Sequence, residues 1–138
     1  MGSWRENASA AAQSDLDALL DAALEMAEGR LAQRGEFYPF GLGIDADGRT
    51  EVIAVMADSA QQAQGLVYQS LRARRSEFRA AVIAADVRLP QSSGDAVDLY
   101  LEHSEGTAIN VLEPYRIVDG EVAPESLRAY SADRRIWL

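Results

Sequence analysis

The stretch that decides the fold is FYPFGLGIDADGRTEVI, residues 37–53, because its spacing predicts a β-hairpin. A three-residue loop at residues 46–48 would place Gly48 in the left-handed conformation that closes a turn of this kind. The facing pairs would then be Leu42 with Val52, Phe40 with Ala54, and Tyr38 with Met56. One side of both strands would be apolar, as a correct register requires.

The acidic turn of this hairpin also resembles the first residues of a calcium-binding loop. Such a loop needs a third acidic position before its glycine and a glutamate at its end, and the chain continues instead with TEVIAVMA. Asp and Gly are common in tight turns that bind no metal, so we interpret the stretch as a turn and predict no metal site.

A helix is predicted before the hairpin. Apolar residues recur at helical spacing between Leu16 and Leu31, with Ser14 as the N-cap and Gly35 as the left-handed residue that ends the helix. Residues 1–13 are predicted to form a mobile N-terminal tail, which leaves a single folded domain at residues 14–138.

A second helix and three strands are predicted after the hairpin. Asp58 or Ser59 would cap the helix, which runs to about Arg75. The apolar run AAVIAADVRLP, residues 80–90, is typical of a central buried strand that Pro90 would close. A three-residue loop at residues 104–106 would join the last two strands. That loop pairs Leu101 with Ile109, Leu99 with Val111, and Tyr100 with Asn110. The C-terminal RRIWL is expected to add a short strand or to cover a sheet edge.

The predicted fold is therefore α+β, with two main helices and a five-stranded, mainly antiparallel sheet in the order α-ββ-α-βββ. This order resembles the profilin-like arrangement of roadblock-type and longin-type domains, which implies a dimerising interaction module. The stretches GEFYPFG (35–41) and LYLEHSEG (99–106) are similar to recurring stretches of a family of small uncharacterised bacterial proteins. That family implies no particular activity.

The composition excludes several classes of function. A net charge of -9 argues against a nucleic-acid partner, because phosphate binding depends on Lys and Arg. All 13 basic residues are Arg, and with 24 Ala this is typical of a GC-rich bacterium. The absence of Lys excludes Schiff-base chemistry, and the absence of Cys excludes thiolate chemistry. No window approaches the roughly 20 apolar residues of a membrane span, so we predict a cytoplasmic protein without membrane association or cofactor.

Five side chains are candidates for a ligand-binding site or a weak enzyme around one end of the sheet. They are His103, Glu102, Tyr100, Asp86 and Arg116. His103 is the only histidine, and a histidine beside carboxylates is able to act as a general base. However, residues 102 and 103 point to opposite faces of a strand, and we expect Asp86 to pair with Arg88.

Two further features are candidates for an interaction surface. Gly41 and Gly43 would leave one face of the first strand bare, so that either a helix of the same domain or a second copy packs there. Arg72, Arg74 and Arg75 form a basic cluster after the second helix, either as a solvated helix end or as a site for an acidic partner.

No convergent catalytic group is visible, so we expect a non-catalytic protein-interaction module that self-associates as a homodimer through a sheet edge or face. The alternatives are the ligand-binding domain or weak enzyme described above, and an acidic chaperone or immunity-type partner of a basic protein.

Overall fold

A computed structural model describes residues 4–89 and 94–138. The helices are a short 3₁₀ helix at Trp4–Asn7, α1 (Ala10–Arg34) and α2 (Ala60–Ala73). The strands are β1 (Phe40–Asp45), β2 (Thr50–Ile53), β3 (Phe78–Arg88), β4 (Asp95–His103), β5 (Ala108–Val118), β6 (Glu121–Pro124) and β7 (Arg128–Ser131).

The strands form one antiparallel sheet in the order β2-β1-β3-β4-β5. Two short strands lie side by side on the outer side of β5: β6 pairs with Tyr115–Val118 and β7 with Ile109–Leu112. The predicted α+β fold with two main helices and an antiparallel sheet is therefore confirmed. The predicted count of five strands is wrong, because the described residues contain seven in the order α-ββ-α-βββββ.

Most of the predicted register is confirmed. Leu42 pairs with Val52, Leu101 with Ile109, Leu99 with Val111, and Tyr100 with Asn110. The pairs Phe40 with Ala54 and Tyr38 with Met56 do not form, because β2 ends at Ile53 and β1 begins at Phe40. Tyr38 and Met56 are exposed instead of sharing the core.

α1 begins earlier than predicted, with Ser9 rather than Ser14 as its N-cap. The hydroxyl of Ser9 accepts a hydrogen bond from the backbone N–H of Ala12 at 3.0 Å. The helix therefore includes residues 10–13 of the predicted tail, where alanines favour helix. At the other end Gly35 has a φ of 76° and donates its N–H to Leu31, so the predicted left-handed cap is confirmed.

Two apolar cores lie on opposite faces of the sheet. On the first, called the α1 face, Leu16, Leu19 and Leu31 of α1 pack against alternate residues of β1, β3, β4 and β5. On the second, called the α2 face, Val67 and Leu71 of α2 pack against the residues of β3 and β4 that point to the opposite side of the sheet. The C-terminal residues 132–138 lie on the α2 face, where Ile136 is buried, so RRIWL does not form a strand. The predicted strand end at Pro90 falls outside the described residues.

In the part of the chain that the structure describes, no helix is both long and apolar enough to cross a membrane. A cytoplasmic location remains a prediction.

Candidate functional site

His103, the last residue of β4, is buried on the α1 face and has a partner for each ring nitrogen. Its Nδ1 accepts the backbone N–H of Glu105 at 3.1 Å, so the proton resides on Nε2. Nε2 donates to Oδ2 of Asp15 on α1 at 2.9 Å. The histidine therefore joins α1 to the β4–β5 turn, and neither nitrogen is free for a substrate.

Asp15 is held by a second group, the guanidinium of Arg79 on β3. Nε and the terminal Nη2 of Arg79 reach the two carboxylate oxygens of Asp15, each at 3.0 Å. Burial alone would raise the pKa of Asp15, but the hydrogen bonds from Arg79 and His103 hold it below its usual range. The carboxylate is consequently ionised at neutral pH and serves as the acceptor that fixes this corner of the fold.

Glu102 lies on the opposite face and is fully buried. It accepts a hydrogen bond from the Tyr100 hydroxyl at 2.5 Å. It also accepts three consecutive backbone N–H groups of the C-terminal segment, from Arg135, Ile136 and Trp137, at 2.8 to 2.9 Å. Burial would raise the pKa of Glu102, but these four donors lower it. Glu102 therefore anchors the C terminus to the sheet.

Asp86 and Arg116 lie away from both groups. Asp86 accepts a hydrogen bond from the Tyr115 hydroxyl at 2.6 Å, on the α1 face and at the far end of β3 from His103. The predicted ion pair with Arg88 is wrong, because Arg88 lies 3.8 Å from Asp95 instead. Arg116 is exposed near the outer edge of the sheet.

The five predicted ligand-site residues are thus dispersed over two faces and both ends of the sheet. The first four each have a hydrogen-bond partner within the chain. Across residues 4–89 and 94–138, no three His, Asp or Glu side chains are arranged to hold a metal ion.

The predicted bare face at Gly41 and Gly43 is covered from within the domain. A Cβ at Gly41 would lie 2.8 Å from Cγ1 of Val67 on α2, and one at Gly43 would lie 2.7 Å from the ring of Phe78. These glycines allow α2 and Phe78 to approach the strand closely, so they do not offer a surface to a second molecule.

The predicted arginine cluster is also engaged within the chain. Arg74 pairs with Glu51 and Glu77, Arg72 donates to the carbonyl of Arg135 at 2.7 Å, and Arg75 donates to the carbonyl of Arg72. These are the contacts expected of arginines at the end of a helix, where they complement the helix dipole and pair with the neighbouring strand. They require no acidic partner.

A groove at the β2 edge of the sheet was not predicted from the sequence. It lies between α1 and the β1–β2 hairpin and has a volume of about 540 Å³. Its apolar lining includes Met26, Leu42 and Val52, and Gly29 adds no side chain to it. Its charged lining consists of one negative side chain, Glu25, and one positive side chain, Arg30. We call it the edge groove.

A buried carboxyl group on the α1 face was also missed. Glu113 of β5 is only 6% exposed, and no group of the described residues hydrogen-bonds to its Oε1. Burial, followed by the influence of the Glu28 carboxyl, raises the pKa of Glu113 to about 8. The register offered a signal, because Glu113 occupies the same strand face as the apolar Val111 and Tyr115.

Comparison with known proteins gives no match to a family model, to a curated protein or to a solved structure. The predicted resemblances to small bacterial proteins and to roadblock-type domains therefore remain predictions, as do the chaperone and immunity-type roles.

Proposed function

We propose that the protein is a non-catalytic interaction module that forms a homodimer by pairing β2 with β2 of a second copy. The observation that carries this proposal is the chemistry of the β2 edge, where unpaired backbone groups lie next to an apolar groove. Engagement of the candidate catalytic groups within the chain also favours it over an enzyme.

The backbone of β2 has a free side. β2 is the outermost strand of the sheet on this side among the described residues. The N–H of Asp45 donates to the carbonyl of Arg49, so these two residues form a hydrogen-bonded pair. Along the β1–β2 ladder, hydrogen-bonded and non-hydrogen-bonded pairs then alternate. By that alternation Glu51 and Ile53 bond to β1, whereas the N–H and C=O groups of Thr50 and Val52 point outward. Such an edge is a template for another strand.

The side chains at this edge are suited to contact. Val52 lies opposite Leu42, on the α1 face, and is 49% exposed beside the edge groove. Tyr38 just before β1 and Met56 just after β2 are exposed as well. A new strand at this edge would cover Val52 and extend the apolar surface over the groove.

A second copy is favoured as the occupant by register, and the charges that line the groove do not oppose it. An antiparallel pair of β2 strands about a two-fold axis at Val52 places the two Val52 residues opposite one another and Glu51 opposite Ile53. A pair centred on Glu51 would instead oppose two carboxylates. Each copy carries a net charge of -9, and the one negative and one positive side chain that line the edge groove, Glu25 and Arg30, add no net repulsion there.

The test is the oligomeric state of the full chain between 1 and about 100 µM, measured by sedimentation equilibrium. We expect a dimer for the wild type and a monomer for Val52→Asp, which places two carboxylates across the two-fold axis. Val118→Asp is the matched control, because Val118 is similarly exposed, at 54%, near the other edge of the sheet, and it should remain dimeric. A wild-type monomer at about 100 µM, or a Val52→Asp dimer of unchanged affinity, would overturn the proposal.

A further inference from the structure

Residues 133–137 lie on the α2 face in the manner of a bound peptide. They form neither helix nor strand, and they cover β4 beside α2, which packs on β1, β2 and β3. The groups of α2 and β4 to which they hydrogen-bond lie 33 to 67 positions earlier in the chain. A site formed by one part of the fold therefore holds a segment from another part.

The centre of this site is the carboxylate of Glu102, which is fully buried. It accepts the backbone N–H groups of Arg135, Ile136 and Trp137, at 2.8 to 2.9 Å. A buried carboxylate is costly without donors, so the site requires an occupant that presents N–H groups at these positions. Because every residue except proline has such a group, this part of the site recognises a backbone conformation and not a sequence.

The surroundings of Arg135 select an arginine at the first of these positions. Its guanidinium donates to the Tyr68 hydroxyl at 2.7 Å and lies 4.3 Å from the centre of the Tyr100 ring. A guanidinium at that distance from an aromatic ring is attracted to it. The carbonyl of Arg135 accepts a further hydrogen bond from Nε of Arg72 on α2, at 2.7 Å.

The next two residues add an apolar and an aromatic contact. Ile136 is only 1% exposed and belongs to the apolar core of the α2 face. The indole N–H of Trp137 donates to the carbonyl of Arg75, just after α2, at 3.0 Å. The chemistry of the site therefore fits an arginine, an aliphatic residue and a tryptophan in succession.

The walls of this site are held in place by other contacts. β4 pairs with β3 along one edge and with β5 along the other. α2 packs on β1 through Val67, which lies against Gly41. The site should therefore keep its shape when residues 133–137 leave it, and water would then reach the carboxylate of Glu102.

We propose that β4 and α2 form a peptide-binding site which residues 133–137 occupy in cis, and which takes an Arg–aliphatic–Trp segment of a partner protein in their place. This site goes beyond the proposed function, because it lies on the face of the sheet opposite the edge groove and does not depend on the dimer. A peptide in trans binds only the fraction of molecules whose own segment has left the site, so the cis segment lowers its apparent affinity.

The experiment measures binding of the peptide SADRRIWL, residues 131–138, to the full chain. The peptide is blocked at both ends and labelled with fluorescein, and its fluorescence anisotropy reports binding. Ile136→Ala in the protein weakens the cis segment and leaves the walls unchanged. We therefore expect it to bind the peptide at least about tenfold more tightly than the wild type does.

Matched controls test the segment and the site separately. Ile117→Ala, the same change at a 43% exposed position on β5, should keep the wild-type affinity. The peptide carrying Ile136→Asp should bind neither protein, because a carboxylate would replace the buried aliphatic side chain. Tyr68→Phe, added to Ile136→Ala, removes the acceptor for Arg135 and should weaken binding at least about threefold.

Two results would overturn the peptide site. One is a folded Ile136→Ala protein that binds the peptide no more tightly than the wild type up to about 1 mM. The other is equal binding of the peptide and its Ile136→Asp form, since adsorption outside the site would then explain the signal. Should Ile136→Ala fail to fold, Trp137→Ala weakens the cis segment at a half-buried residue, and the same tighter binding is expected of it.

Discussion

Nε2 of His103 lies 2.9 Å from Oδ2 of Asp15, so that one side-chain pair joins the end of β4 to the second turn of α1. Because Nδ1 accepts the N–H of Glu105, the imidazole is fixed as the tautomer that donates to Asp15. The only histidine of the chain is thus used as a connector between a helix, a strand and a turn.

We expect His103→Ala to lower the free energy of unfolding by about 1–3 kcal/mol, because it removes a hydrogen bond from a buried side chain to the half-buried carboxylate of Asp15. His103→Gln is the matched control, since its amide N–H is able to reach the same oxygen and should recover much of the loss. Urea unfolding at pH 7 measures both variants. Equal stability of His103→Ala and the wild type would show that the pair contributes nothing.

The Asp15 carboxylate should make this corner of the fold sensitive to acid. Its pKa is lowered in the folded chain, so its contribution to stability is present above its unfolded value near 4 and is lost as the pH falls through the folded value. Asp15→Asn should therefore destabilise the protein by about 1–3 kcal/mol at pH 7 and by clearly less at pH 3. Urea unfolding of both proteins at the two pH values tests this, and a penalty independent of pH would contradict it.

Glu102 should hold the C-terminal segment in place. Glu102→Gln keeps the size of the side chain but has only one acceptor oxygen for four donors, and we expect a loss of about 2–4 kcal/mol. Hydrogen exchange of the amides of residues 135–137 should accelerate with it. Arg134→Ala is the control, because Arg134 is partly exposed and lies 3.6 Å from the same carboxylate, and it should cost less than about 1 kcal/mol. Unchanged exchange in Glu102→Gln would contradict the anchoring role.

The hairpins were predictable because turn residues and strand alternation point to the same register. Gly48 and Gly106 both have positive φ, at 83° and 122°, and each allows one register that buries an apolar face. β6 and β7 were not predictable from the same rules. Both are four residues long and mostly exposed, so apolar alternation does not distinguish them from a loop.

The partners of buried polar groups were harder to predict than the strands. Asp86 on β3 bonds to Tyr115 on β5, with β4 between the two strands. This contact depends on the order of three strands, which the sequence does not show. The residues nearest in sequence therefore suggested Arg88 instead. The edge groove likewise depends on where α1 crosses the sheet. The burial of Glu113 was predictable, because the register that places Val111 on the core side of the strand places Glu113 there too.

The glycines of β1 should not tolerate a methyl group. Gly41→Ala would bring a Cβ to 2.8 Å from Val67, and we expect a loss of about 1–3 kcal/mol as α2 is pushed outward. Gly65→Ala is the matched control on the exposed side of α2. It meets nothing within 4 Å and should stabilise the helix by about 0.5–1 kcal/mol. Thermal unfolding measures both, and a Gly41→Ala variant as stable as the wild type would show that α2 does not approach the strand so closely.

Glu113 should make the folded state less stable as the pH rises. Its carboxyl ionises near 4.5 in the unfolded chain and at about 8 in the folded one, so between these values the unfolded state releases a proton that the folded state keeps. The stability that the neutral Glu113 carboxyl contributes is therefore fully present below about pH 4.5 and is lost as the pH rises through 8. Glu113→Gln lacks this dependence, and relative to the wild type it should gain about 1–3 kcal/mol between pH 5 and pH 8.5. Urea unfolding at half-unit pH intervals measures the difference, with Glu25→Gln expected to run parallel to the wild type. Parallel curves for Glu113→Gln as well would show that Glu113 is ionised in the folded protein at neutral pH.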